Sequence, residues 1–378
     1  VILEALADRQ PPPSSSAAAR RTFAWIRANL FKSLWSSLVT LALAYLLLKL
    51  GLEFVGWSLV DSVWSVGTDT AGKLDPSACR AARGVGACWA VIGDKYRLIL
   101  FGRYPIAEQW RAAMVVLLFV GLFALSALPR FWRRELLLLW SAALIAIAVL
   151  MSGGVLGLAP VPREQWGGLP LTLILATMGL VFAFPLAVLV ALGRQSRMLP
   201  AVRILCVLYV ELIRGVPLIS LLFMASMLMP LFLPMAIVPD NLLRAELAIV
   251  LFAGAYLAEA VRGGLQALPK QQYEAAASLG LTYWQSRRLV VLPQALRLVI
   301  PPLANTFISF FKDTSLVLVI GMFDLLSSSA IALADPVWQG YGVEVYVMTG
   351  LIYFCFCFSM ARYSKFLERK FGRPIASR

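Results

Sequence analysis

The chain reads as all-α, a polytopic membrane protein with about eight transmembrane helices. Three observations predict that class. Of 378 residues 60% are hydrophobic and 14% charged, with a mean hydropathy of +0.80, whereas a water-soluble domain is about half apolar and about one quarter charged. The apolar residues come in blocks near the roughly 20 residues that cross about 30 Å of hydrocarbon at about 1.5 Å per residue. These blocks are continuous, not alternating, and lipid satisfies no backbone polar group, so each predicts a helix and not a barrel strand.

The elements follow in order along the sequence. Residues 1–33 form an amino-terminal arm whose Pro11 to Pro13 and Ser14 to Ser16 favour disorder. The run Leu34 to Leu50 reads as an uncleaved anchor in preference to a cleaved signal peptide, because no small-residue cleavage site follows it and Lys49 and then Glu53 interrupt the sequence instead. A large outer loop, 51–111, leads to Ala112 to Leu128, and Leu136 to Leu158 completes three helices within 34–168. Leu169 to Leu192 comes next. Leu205 to Leu233 is too long for one crossing and is interrupted by Arg214, Gly215 and Pro217. Its first part is expected at the membrane surface, with the spanning part starting near Leu218. Ala245 to Val261, Leu298 to Met322 and Val343 to Ala361 end the series before a tail at 372–378.

Lys plus Arg number 34 against 20 Asp plus Glu, a net charge of +14. In a membrane protein this surplus orients helices. If eight helices alternate, the amino-terminal arm, Arg130 to Arg134, Arg194 to Arg203, Arg262 to Arg297 and the carboxyl tail share one side, while the opposite short loops carry only Arg163 and Arg244. Both termini are therefore expected in the cytoplasm. No basic stripe is interleaved with stacking aromatics, so nucleic acid is not an expected partner. The sequence has no histidine, which excludes a Ser-His-Asp or Cys-His triad and imidazole metal sites. No cysteine pattern suggests zinc or iron–sulfur binding, and no metal is expected. Cys206, Cys355 and Cys357 lie in apolar runs. Cys79 and Cys88 share the outer loop, and Gly84 and Gly86 between them can fold the chain back, so they are a candidate disulfide; two unpaired thiols are the alternative.

The loop between the sixth and seventh runs, QALPKQQYEAAASLGLTYWQSRRLVVLPQALRLVIPP, carries the most information. Pro269 suits a helix start, Glu274 to Leu279 favour helix, and Gly280 is placed as a stop. Thr282 and Gln285 have the spacing of a capping box for a second helix. Ala275, Ala276 and Ala277 would lie on the surface. Tyr273, Ala276, Ala277 and Gly280 share one helical face, which can enter a groove on another protein. The bland alternative is a helical hairpin resting on the bilayer.

This loop resembles the signature of permease subunits of binding-protein-dependent ABC importers: EAA, three residues, Gly, nine residues, then Ile-x-Leu-Pro. Glu274, Ala275, Ala276, Gly280, Val290, Leu292 and Pro293 match it, with valine in place of isoleucine. ELIRGVPLISLLF, AYLAEAVRGGLQALPKQQYEAA and LPQALRLVIPPLANTFISFFKDTSLVLVIGMFDLL are similar to the polar amino acid branch. The preceding helices and GACWAVIGDKYRLILFGRYP resemble the general L-amino acid uptake system. The resemblance implies a five-helix type I importer core at 169–371, with a cytoplasmic coupling loop at 262–298 that docks on an ATP-hydrolysing subunit. It also implies a bacterial inner-membrane location, a periplasmic amino acid binding protein as partner, and a second permease chain, a related one favoured over a second copy. No phosphate-binding loop G-x-x-x-x-G-K-[ST] is present, so no cofactor is expected on this chain and ATP with magnesium is expected on the partner.

Charges inside or at the edge of apolar runs are candidate pathway or helix-pairing groups. Glu211 with Arg214, and Glu259 with Arg262, are three apart and can pair on one helix face near the cytoplasmic boundary. Lys312 and Asp313 are adjacent and diverge. They can offer a zwitterionic solute an acceptor and a donor, or bind opposite partner helices. A self-sufficient secondary transporter or channel is the rival reading, but it needs a pair of interrupted helices that the sequence does not show. A membrane-embedded enzyme lacks evident catalytic groups.

Overall fold

The computed structural model describes residues 15–68, 74–196, 199–234 and 237–371, with backbone alone for 15–22. The arm's Pro11 to Ser14 and the tail at 372–378 lie outside the described residues. The chain divides into two compact units, 1–90 and 91–378.

In the first unit, helix α1 (Ser15–Leu30) already includes Ser15 and Ser16, so the arm expected to be disordered is helical from there. Good helix formers outweigh two serines. Helix α2 (Leu34–Val55) starts at Ser33, whose hydroxyl accepts the Ser36 N–H at 3.2 Å, and passes into a π-helical turn at Gly56–Val60. None of its residues is buried, as suits a helix that turns its side chains to lipid. Cys79, on the short helix α3 (Ser77–Ala81), is bonded to Cys88 with the Cα atoms 5.4 Å apart, and both residues are fully buried. Gly86 lies against the Asp61 carbonyl, where a Cβ would fall 1.7 Å from the oxygen. That approach lets the Val63 N–H reach the Ala87 carbonyl at 2.7 Å.

The second unit contains all but the first residue of α4 (Ala90–Phe101), then α5 (Gln109–Ala127), α6 (Arg134–Ser152), α7 (Gly168–Arg194), α8 (Pro200–Arg214), α9 (Leu218–Phe223), α10 (Met229–Phe232), α11 (Asn241–Ala267), α12 (Lys270–Ser278), α13 (Tyr283–Ser286), α14 (Leu292–Leu298), α15 (Ile300–Asp313), α16 (Leu325–Ala332) and α17 (Gly342–Phe371). Among the described residues, seven helices are long and apolar enough to span, and the pair Pro200–Arg214 and Leu218–Phe232, bent by 103°, raises the number to eight. The bend falls at Gly215 to Pro217, where proline cannot continue a helix. The third span stops at Ser152, short of Leu158, because Gly153 (φ 65) and Gly154 (φ 78) turn the chain.

Helices α7 and α11 form the central pair. At Gly179 a Cβ would sit 2.6 Å from Ile249 Cγ2, so glycine is what lets the two backbones approach. Ala183, Ala187, Ala248, Ala255 and Ala258 extend this small-residue contact, and Leu222, Ala295 and Phe310 close over it from α9, α14 and α15. Two buried polar groups tie neighbouring segments together. Arg111 is not a loop charge as expected but sits fully buried on α5, donating to Tyr104 Oη at 2.8 Å and the Ala159 carbonyl at 2.9 Å. Asp324, also fully buried, caps α16 through the Ser327 N–H at 2.9 Å and accepts the Tyr353 hydroxyl at 2.9 Å.

Candidate coupling site

Helix α11 leaves its last turn at Ala267 and Pro269 takes the N-cap position of α12. Alpha-12 then closes on a Schellman turn. Gly280 adopts φ +74, its N–H bonds the Ala277 carbonyl at 2.9 Å, and the Leu281 N–H bonds Ala276 at 3.3 Å. Two residues later the capping box is complete: the Gln285 side chain accepts the Thr282 N–H at 2.9 Å, and the Thr282 hydroxyl accepts the Gln285 N–H at 3.4 Å. Beyond α13 the helix widens into a π-turn at Arg287–Val291 and resumes as α14. Pro293 withholds the N–H that would bond the Leu289 carbonyl, which favours the irregular turn there.

The exposed face of α12 is not the one expected. Tyr273 and Ala276 turn inward: the Tyr273 hydroxyl donates to the Leu265 carbonyl at 2.9 Å, and Ala276 is 2% exposed. The outward residues are Glu274, Ala275, Ala277 and Gly280. Spacing shows which residues share a face, but not which face the rest of the chain covers. Leu279, Tyr283, Trp284 and Leu289 add an exposed apolar rim. Leu292 packs against the core, while Pro293 is exposed.

Beneath the loop, charged side chains from three helices meet on Glu259. Arg194 donates to Glu259 at 2.7 Å and to Glu211 at 3.0 Å, Arg262 bonds Glu259 as its spacing allows, and Arg214 reaches Glu259 at 3.8 Å while lying 5.3 Å over the Tyr256 ring. Glu211 thus pairs across helices with Arg194 instead of along its own helix with Arg214. The cluster fastens helix α8 to the α7–α11 pair. Arg194 carried no signal beyond its place in a basic loop. Lys312 and Asp313 fall where α15 gives way to a 3-10 segment, Thr314–Ile320; Lys312 is exposed and Asp313 half-buried, and neither forms a salt bridge among the described residues. No group of His, Cys, Asp and Glu that could hold a metal is found among the described residues.

A multi-span helical core with an exposed turn-and-helix loop held on the α7–α11 pair defines a polytopic membrane protein. Residues 183–373 match the family described as the binding-protein-dependent transport system inner membrane component. The chain is 46% identical over 96% of both chains to the inner membrane amino-acid ABC transporter permease protein YhdY of Escherichia coli K12. It is 37% identical to the glutamate/glutamine/aspartate/asparagine transport system permease protein BztC of Rhodobacter capsulatus, covering 98% of this chain and 97% of that one. A crystal structure of an amino acid ABC transporter with histidines matches with a TM-score of 0.47 and 30% identity over 54% of this chain and 92% of that one. The chain belongs to the binding-protein-dependent transport system inner membrane component family, and is a multi-pass inner-membrane permease subunit, not an enzyme.

Proposed function

We propose that this chain forms the pathway of an ATP-driven importer of L-amino acids, with ATP and magnesium bound by a separate ATPase subunit that docks on the loop at 262–298. The observation that carries this reading is the exposed turn from Glu274 to Gly280, braced on the α7–α11 pair. Small side chains at Ala275, Ala277 and Gly280 let a partner surface come close, and Leu279 and Trp284 supply apolar area. Closure of two ATPase subunits would draw two such loops together and shift the permease from inward-open to outward-open, where a loaded periplasmic binding protein delivers its amino acid. The names of the two long relatives support amino acids as cargo. In this reading both termini lie in the cytoplasm, residues 169–371 form the permease core, and residues 34–168 add three helices and a periplasmic loop. Lys312 and Asp313 face either the cargo or a neighbouring helix of a related second permease chain. Purification in mild detergent tests the assembly: an ATPase chain and a second permease chain should come down with this one. A chain that purifies without an ATPase under conditions that preserve uptake would overturn it.

A further inference from the structure

The turn at Gly280 does not itself fix how the loop sits on the membrane core. No atom lies within 4 Å of the position a Cβ would take there. Besides the Tyr273 hydroxyl on the Leu265 carbonyl, a second link is made by Arg287, in the π-turn after α13. Its guanidinium lies 4.9 Å from the ring centre of Tyr273 on α12 and 5.0 Å from that of Tyr283 on α13, and it donates to Gln195 Oε1 at 3.3 Å. Gln195 is the C-cap of α7 and follows Arg194, the side chain that joins Glu259 to Glu211.

One planar cation therefore grips both helices of the loop and the end of a central membrane helix. A guanidinium can stack and donate in its own plane at once, which an ammonium cannot do. The π-turn places an extra residue in the helix and re-aims the side chain, a distortion often found at functional sites. Arg287 is half-buried and reaches Gln195 at the end of α7; of the exposed rim it contacts Tyr283.

We infer that Arg287 is a positioning residue that transmits movement of the loop to α7, so that it sets the coupling of ATP hydrolysis to transport and not the docking of the ATPase. The inference rests on the proposed role of the loop. The test uses the full complex with its ATPase subunits and binding protein in proteoliposomes, and reads three quantities: ATPase co-purification, ATP hydrolysed, and amino acid taken up. Arg287→Ala should retain the ATPase at the unsubstituted ratio and hydrolyse ATP, while uptake per ATP falls about tenfold, within the usual range of a coupling between sites. Arg287→Lys should not restore the ratio. Gln195→Ala, which leaves the loop untouched, should lower it in the same direction, and the double variant should be no worse than Arg287→Ala, as for two ends of one contact. Arg288→Ala, one residue along and exposed, should leave it unchanged. An unchanged uptake per ATP in Arg287→Ala, loss of the ATPase in that variant, additive effects of the two substitutions, or an equal fall in Arg288→Ala would each overturn the inference. The underlying reading fails differently, by Gly280→Asp retaining both ATPase and uptake.

Discussion

Replacing Gly280 by aspartate separates the loop's fold from its docking. The residue holds φ +74 at the end of α12, and no atom of this chain lies within 4 Å of an added Cβ. The cost inside the chain is therefore confined to the backbone, about 1–2 kcal/mol for an ordinary L-residue in the left-handed region, and aspartate and asparagine are among the residues that visit it most readily. The α7–α11 core is untouched, so expression and thermal unfolding should stay close to those of the unsubstituted protein. Against a docked ATPase the same carboxylate would be buried without a partner, at about 3 kcal/mol or more, which weakens docking by about 100-fold. Gly280→Asn keeps the backbone tolerance without the charge and should lose less. Glu274→Ala should be milder still, since it removes one polar contact and retains helix propensity. ATPase co-purification and amino acid uptake, measured side by side at matched expression, decide the matter. Normal uptake in Gly280→Asp would refute this reasoning, as would a large fall in its unfolding temperature.

Three further outcomes follow from the same geometry. Glu259→Gln leaves Arg194, Arg214 and Arg262 without their shared carboxylate; because Glu259 is about a quarter exposed, the loss should be about 2 kcal/mol, below the full cost of breaking a buried pair, and thermal unfolding in detergent should show it exceeding the effect of Arg214→Ala, whose contact is longer and more exposed. Cys79 and Cys88, nine positions apart, close a loop whose cross-link contributes roughly 2.5 kcal/mol on the chain-entropy model; thiol labelling of unreduced, denatured protein should modify both only after reduction, and equal labelling beforehand shows that the bond does not form. Asp335 is held below the usual carboxylate range by its hydrogen bond to Lys95, while the Lys95 ammonium, which burial alone would lower, is raised by its bonds to Asp335 and Asp94. The Asp335 contribution is thus fully present above about pH 4 and lost as pH falls through its depressed value, and the Lys95 contribution is lost only on strong alkalinisation; the difference in unfolding temperature between the unsubstituted protein and Asp335→Asn should shrink below about pH 4, and a difference that grows there contradicts the pairing.

The spans were legible because a bilayer demands length and apolarity of each helix separately, and Arg214, Gly215 and Pro217 betrayed the bend in the fifth by local chemistry alone. Gly280 and the Thr282–Gln285 box were legible for the same reason, since caps are satisfied within a few residues. Long-range choices were not. Glu211 had Arg214 one turn away, but such a pair contributes only a few tenths of a kcal/mol, and Arg194 from another helix took its place. The outward face of α12 depended on Leu265 and the core behind it, which no period reports. Arg111 read as one more basic residue of a translocated loop, because its bond to the Ala159 carbonyl joins positions 48 apart. Asp324 did carry a local sign, an N-cap three residues before Ser327, yet its partner Tyr353 lies on another helix.

Transport energised by a different chain is tested most directly by reconstitution. In proteoliposomes holding this permease, its ATPase subunits and its partner permease, amino acid uptake should require both ATP and the periplasmic binding protein and stop when either is withheld. Uptake by the purified chain alone, driven by an ion gradient without ATP, would contradict it.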